Sequence, residues 1–433
     1  MTAQTMEERA QAVLDANWLG RFTKPAPRLY PHQWSWDSAF IAIGNRHRRW
    51  DRAVLELETL FDAQWTNGMV PHIVFADNDP GYFPGGTYWR SEVSAHCPQG
   101  VSSSGICQPP VHATAVLAVY KANPSEGRRF VEAMVPKLVA WHDYLHEVRA
   151  VDSPLIEVWH PWASGRDNNP EWDPALDAVH VAPGTLAPYQ RADVNHADPA
   201  DRPSDAEYDR YLFLVEQLRN RGYDPDDRPE LPFRVRDILM NTLLVRAEED
   251  LATLLGIIGA DGSERLARAD RLWDAVDEHL WSPETGMYHS MNAVGGKLLP
   301  VRTSGSFLAM TARDLPEERL QPLLAAFERD FMAPVAGGGR VPLTIPVDEI
   351  GFDPIRYWRG PAWINMTWLI ALGLERQGRS DLARELRAGA LNLCENVGFY
   401  EYFDPKAATG HGSDDFSWSA ALVLEWLRGD QIG

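Results

Sequence analysis

Cysteine is almost missing from this chain. Three occur, Cys97, Cys107 and Cys394, an odd number with no C-x-x-C spacing, so neither a disulfide framework nor a zinc cluster is indicated and a reducing compartment fits best. Positive charge is also short: 41 Lys and Arg stand against 61 Asp and Glu, a formal net charge of −20. Nucleic acid and anionic membranes both need a concentrated positive face, which so acidic a chain would have to build locally. Neither is expected as a partner, and the acidity favours solubility. No apolar run reaches the roughly 18 residues of a spanning helix, and the first ten residues hold no basic stretch leading into an apolar one. A cytoplasmic protein is expected.

The usual catalytic signatures are missing too. There is no G-x-S-x-G elbow, H-E-x-x-H helix, Walker loop or G-x-G-x-x-G turn. Gly337-Gly338-Gly339-Arg340 is a lone glycine run, better suited to a loop than to a phosphate cradle. His142 and His146 share a helix face at i and i+4 but lack an acidic third partner in a metal-ligand pattern. No cofactor and no metal are expected.

What is present is a soluble chain of 433 residues, 45% hydrophobic and 24% charged, with ample material for a core. Seventeen tryptophans stand out, because Trp collects where apolar area and a hydrogen-bond donor are both wanted. Helical periodicity dominates, with almost no convincing strands. Thr5 and Glu8 form a capping box opening a helix through about Trp18. Phe130, Met134, Leu138, Trp141 and Leu145 make one stripe, and Val235, Ile238, Leu239, Leu243, Leu254 and Leu255 mark another. Further helices are expected over 36–47, 51–65, 111–122, 206–221, 263–281, 304–313, 316–330, 361–377, 380–396 and 414–428. Short and long connections alternate, which predicts antiparallel helix pairs. The long loops, 67–110, 150–205, 285–303 and 333–360, hold nearly every motif, and loops of that length are usually functional.

Two acids sit among aromatic rings. Asp167 follows Trp159-His160-Pro161-Trp162-Ala163-Ser164-Gly165-Arg166, and Glu401 lies between Tyr400 and Tyr402. Cleaving a glycosidic bond takes one carboxylic acid to protonate the leaving oxygen and one carboxylate on the other face of the sugar. Aromatic neighbours stack on sugars and raise a carboxyl's pKa. Each acid has a structural alternative of similar weight: an Asx turn at Asp167 or Asn168, and a surface strand at Glu401. Tyr30-Pro31-His32-Gln33-Trp34-Ser35-Trp36-Asp37-Ser38 groups three rings with an acid. Asp37 would bind two sugar hydroxyls or cap a helix over 38–47. Tyr357-Trp358-Arg359-Gly360-Pro361-Ala362-Trp363 has the same style, with Pro361 suited to a first helical turn. Gly85-Gly86-Thr87-Tyr88-Trp89 and Gln108-Pro109-Pro110 end one long loop whose glycines would let a lid move, and Tyr88 is a further candidate substrate contact. Pro203, Ser204 and Glu207 read as a helix start, leaving Arg202 as a fixed guanidinium suited to a substrate carboxylate.

Taken together these segments, with Ser164-Gly165-Arg166-Asp167-Asn168, Tyr400-Glu401-Tyr402-Phe403-Asp404-Pro405 and Phe416-Ser417-Trp418-Ser419, resemble glycoside hydrolase family 63, in its bacterial branch acting on mannosylglycerate and glucosylglycerate. Asn169 departs from the serine expected there in some relatives. The resemblance implies an all-α (α/α)6 toroid over 1–433, with a cap-like segment inserted at about 170–235. It implies an inverting α-glycosidase with Asp167 as acid and Glu401 as base, acting on 2-O-α-glucosylglycerate, 2-O-α-mannosylglycerate or both. By the same resemblance Tyr30, Trp34, Trp36, Asp37, Gln108, Trp162, Trp358 and Trp363 hold the sugar, and Arg202, Tyr208 and Tyr357 contact the glycerate. Fold alone does not fix chemistry, so a sugar epimerase of the toroid type, a glycosidase for another small α-glucoside and a non-catalytic sugar binder stay open. A homo-oligomer stays open as well.

Overall fold

Helices that are apolar on all sides must be covered on all sides, and the chain places such helices in one ring. The computed structural model describes residues 4–76, 81–191, 193–195, 199–224 and 231–429. Its α-helices are α1 Met6–Asn17, α2 Ser35–Asn45, α3 Trp50–Asp62, α4 Gly86–Trp89, α5 His112–Ala122, α6 Pro124–Tyr144, α7 Asp173–Leu176, α8 Asp205–Asn220, α9 Ile238–Ile258, α10 Ser263–His279, α11 Ala309–Ala312, α12 Glu317–Ala326, α13 Ile364–Arg376, α14 Ser380–Val397 and α15 Ser417–Arg428. Every residue of α2 is buried, as are Ile364–Ala371 of α13 and Ser417–Trp426 of α15. Neighbours pack in the order α2, α5, α9, α11, α13, α15, and α15 returns to α2. This is an (α/α)6 toroid.

The outer helices are amphipathic, as a second layer requires. In α14 the buried set is Ala383, Leu386, Gly389, Ala390, Leu393 and Cys394, spaced by threes and fours. Outer α1 lies on α15, α3 on α2, α6 on α5, α10 on α9 and α14 on α13. Each inner helix follows an outer one through a long loop, and each short connection leads from inner to outer. The six inner helices therefore run the same way, with their N-termini at the end where the long loops gather.

The ring closes where α2 crosses α15. A Cβ on Gly44 would fall 2.3 Å from the Ala421 carbonyl oxygen, so the crossing distance demands glycine. One turn on, buried Arg46 meets Glu425 at 2.9 Å and His47 Nε2 lies 2.7 Å from the same carboxylate. Across α6, α9 and α10 a second buried acid, Glu248, lies 3.3 Å from His142 Nδ1, 2.8 Å from His146 Nε2 and 3.8 Å from Arg265. The two histidines thus have an acidic partner, from a helix distant in sequence. Among the described residues no group of three His, Cys, Asp or Glu is placed to hold a metal.

Several expected boundaries shift for tertiary reasons. The chain over 304–313 splits into a 3-10 stretch, Ser304–Leu308, and the single turn α11. Pro361 precedes α13 rather than entering it, because Ala362 is held extended by a pair of backbone hydrogen bonds with Phe403, 2.8 and 2.9 Å. Strands do occur among the described residues, short and antiparallel, as one three-stranded sheet and four pairs that include Gln33–Trp34 with Ile73–Val74 and Tyr402–Asp404 with Thr409–His411. Among the described residues between 170 and 235 lie α7, three 3-10 turns and α8, whose N-terminus carries the expected capping box of Ser204 with Glu207.

Candidate active site

The gathered loops enclose a cavity of about 900 Å³, its mouth included, at the N-terminal end of the ring. Four inner helices reach it directly. Trp36 and Asp37 open α2, Gln108 precedes α5, Trp363 is the N-cap of α13, and Phe416 and Trp418 begin α15. Asp37 is not an N-cap: pairing of Trp34 with Ile73 starts the helix at Ser35, so Asp37 falls inside the first turn, 4% exposed. Burial first, then the charge of Glu401, holds its carboxyl well above the usual aspartate range. Gln108 accepts a 3.3 Å bond from the Trp36 amide.

Asp167 stands on a loop fixed from both sides. Gly165, at φ +71°, passes so close to Trp36 that a Cβ would meet the ring at 2.7 Å. Arg166 points the other way, fully buried, donating to Asp237, the N-cap of α9, at 2.7 Å and lying 3.2 Å from Glu171. The capping that would compete for Asp167 falls to its neighbours: Asn169 accepts from the Glu171 amide at 3.0 Å, and Asn168 accepts from the Trp358 amide at 3.0 Å. Asp167 is left facing the cavity. Burial raises its pKa to about 7, against the pull of Arg202.

Glu401 is 2% exposed and differently supplied. It accepts from the Tyr30 hydroxyl at 2.8 Å and the Ser413 amide at 3.2 Å. Burial raises its pKa, while Arg202, Tyr30 and Ser413 work the other way. Arg202 donates to the Tyr30 hydroxyl at 2.8 Å, sits 4.3 Å over the Tyr357 ring and lies 3.9 Å from Glu401. Tyr357 has a left-handed backbone, φ +45°, a conformation that costs a non-glycine residue about 1 to 3 kcal/mol and clusters at functional sites. Its carbonyl accepts from Trp363 Nε1 at 3.1 Å. Trp358 and Trp363 stack at 3.7 Å, and Tyr402 continues the stack at 4.9 Å.

Residues 30–419 match the family described as mannosylglycerate hydrolase MGH1-like glycoside hydrolase domain. The chain belongs to that family. It is therefore a glycoside hydrolase, and the epimerase and non-catalytic alternatives fall away. A mannosylglycerate hydrolase of Rubrobacter radiotolerans is 44% identical over 96% of this chain and 95% of its own length. A glucosylglycerate hydrolase of Mycolicibacterium hassiacum is 38% identical over 98% of each chain. The crystal structure of the GH63 mannosylglycerate hydrolase of Thermus thermophilus, in complex with Tris and D-glycerate, superposes with a TM-score of 0.90 at 39% identity, covering 98% of this chain and 100% of that one.

Within this glycoside hydrolase, Tyr30, Trp34, Trp36, Asp37, Gln108, Trp162, Asp167, Arg202, Tyr208, Tyr357, Trp358, Trp363 and Glu401 all line one cavity. Tyr88 does not. On the turn of α4 it is Trp89 that faces the cavity, while Tyr88 points to α8, its hydroxyl donating to Glu216 at 3.3 Å and its ring lying under Arg219. The glycine before it serves packing: a Cβ on Gly86 would lie 2.1 Å from Ser102 Oγ. Sequence reasoning missed Tyr82, His72 and Asp193. Tyr82 lies in the aromatic-rich stretch 67–110, which was signal enough to suspect it. His72 is pushed well below its usual pKa by burial, so it is neutral, with Nδ1 2.6 Å from Ser104 Oγ. Asp193 is a lone loop acid without any pattern around it.

Proposed function

We propose that this enzyme hydrolyses 2-O-α-mannosylglycerate and 2-O-α-glucosylglycerate to free sugar and glycerate, inverting the anomeric centre. The observation that carries the substrate class is Arg202, a buried guanidinium in the same cavity as the two acids, with Nε and Nη1 making no hydrogen bond. A fixed cation with unused donors selects a carboxylate. Relatives named for these two substrates span this chain nearly end to end, and a solved relative holds D-glycerate, which supports the same aglycone here.

The roles of the acids follow from their surroundings. Asp167, raised to about 7 by burial, keeps a proton to give to the leaving glycerate oxygen. Glu401, with two donors stabilising its charged form, takes a proton from the water attacking the anomeric carbon. Where environments separate two carboxyls in this way, acid and base are assigned by it. Asp37 accepts from sugar hydroxyls, and the tryptophans supply apolar faces for the ring. We take residues 1–433 as one catalytic domain, with about 170–235 inserted as a cap bringing Arg202 and Tyr208 to the aglycone side. The free thiols of Cys97, Cys107 and Cys394 and the lack of any described helix able to cross a membrane suit a cytoplasmic enzyme. The test is to incubate both glycosides with the enzyme, assay glycerate and follow the first-formed sugar by proton NMR. The β-anomer should appear first; the α-anomer first would replace inversion with retention, and no glycerate from either would remove the substrate class.

A further inference from the structure

We propose that the substrate's carboxylate acts on the chemistry as well as on binding: by taking up the free N–H groups of Arg202 it neutralises a buried guanidinium whose field reaches both Asp167 and Glu401. This rests on the proposed glycerate-bearing substrate. Arg202 is 5% exposed and cannot shed its proton. Only Nη2 is hydrogen-bonded, to Tyr30; Nη1 lies 3.9 Å from Glu401 and Nε 3.5 Å from Asp193. Asp193, which accepts from Arg191 at 3.1 and 2.7 Å, covers the Nε edge, and this leaves Nη1 as the open donor. The other titratable groups facing this centre are Tyr30, Tyr82, Tyr208, Tyr357, Tyr402 and Asp167.

One buried nitrogen, Nη1, is thus left with unused N–H groups beside Glu401. Until the substrate arrives, the guanidinium charge bears on both acids, and for each it is the main charge opposing the effect of burial. At low local dielectric such a charge is weakly screened. A carboxylate seated on Nη1 offsets it. Asp167 then keeps its proton to higher pH and Glu401 becomes the stronger base, the two changes an inverting cleavage needs together. An aglycone of the same shape without the charge leaves that field on both acids, so turnover falls in addition to affinity.

The test compares a 2-O-α-glycosylglycerate with the matching 2-O-α-glycosylglycerol, in which a hydroxymethyl group replaces the carboxylate, measuring kcat and KM against pH for the wild-type enzyme. The charged substrate should show a kcat larger by about tenfold and an alkaline limb of kcat about one pH unit higher, the shift equivalent to that factor. In Arg202→Gln both differences should collapse. Equal kcat values with coincident limbs, and a difference confined to KM, would overturn the proposal while leaving the proposed substrate class standing. Should neither glycoside be cleaved by the wild type, it is the substrate class that fails. The wild-type comparison decides the matter even if the variant does not fold.

Discussion

Replacing Asp167 by Asn removes one proton and almost no volume, which makes it the sharpest perturbation of the site. An ordinary aspartate titrates near 3.8, and burial lifts this one to about 7. That difference corresponds to about 4 kcal/mol in favour of the neutral form. At pH 7 about half of the molecules carry the proton, against roughly one in a thousand for an unperturbed aspartate. The surroundings therefore multiply the competent fraction several hundredfold. Asp167→Asn should lower kcat/KM for a glycosylglycerate by about 10² to 10⁴ and abolish the alkaline limb near neutrality. An α-glycosyl fluoride, whose leaving group needs no protonation, should lose far less. Glycerate and fluoride release, each followed across neutral pH, give both numbers. A loss on the fluoride as deep as on the glycerate, or an alkaline limb unmoved in the variant, would refute Asp167 as the proton donor.

Glu401→Gln should fall by a similar 10² to 10⁴, but on the fluoride as well as the glycerate, since both need the activated water; a variant impaired on the glycerate alone would contradict the role of base. Glu248 is held below the usual glutamate range, the opposing burial being outweighed by His142 and His146. Its folded state binds fewer protons than the unfolded one, so its contribution is present above the unfolded value of 4.5 and is lost as pH falls below it. Glu248→Gln should cost about 3 kcal/mol at neutral pH and flatten the acid side of a melting-temperature profile; an unchanged profile would remove this ion cluster from the stability of the fold. Gly44→Ala places a Cβ 2.3 Å from the Ala421 carbonyl and should cost about 3 kcal/mol or more, read by denaturant unfolding.

What could be read from the sequence was what local chemistry decides. The capping boxes at Thr5 with Glu8 and Ser204 with Glu207 are self-contained, and both form. The alternation of short and long connections carried the antiparallel helix pairs, while the ring they close was implied only by the family resemblance. Distant contacts could not be read. Asp37 satisfied the rule for an N-cap until Ile73 paired with Trp34 and moved the helix start. Tyr88 read as a contact, yet one residue on a helical turn is a rotation of about 100°, and it is Trp89 that lines the cavity. His142 and His146 looked unpartnered because Glu248 comes from another helix. Asp193 is given meaning only by Arg191 and Arg202 beside it.

The shared direction of the six inner helices has an electrical meaning. Each helix carries about half a positive charge at its N-terminus and half a negative one at its other end. The five longer ones amount to about two and a half charges of each sign, separated along the axis of the ring. On a chain of net charge −20 this polarity gives an anionic glycoside one inviting face, and it is the face where the acids wait.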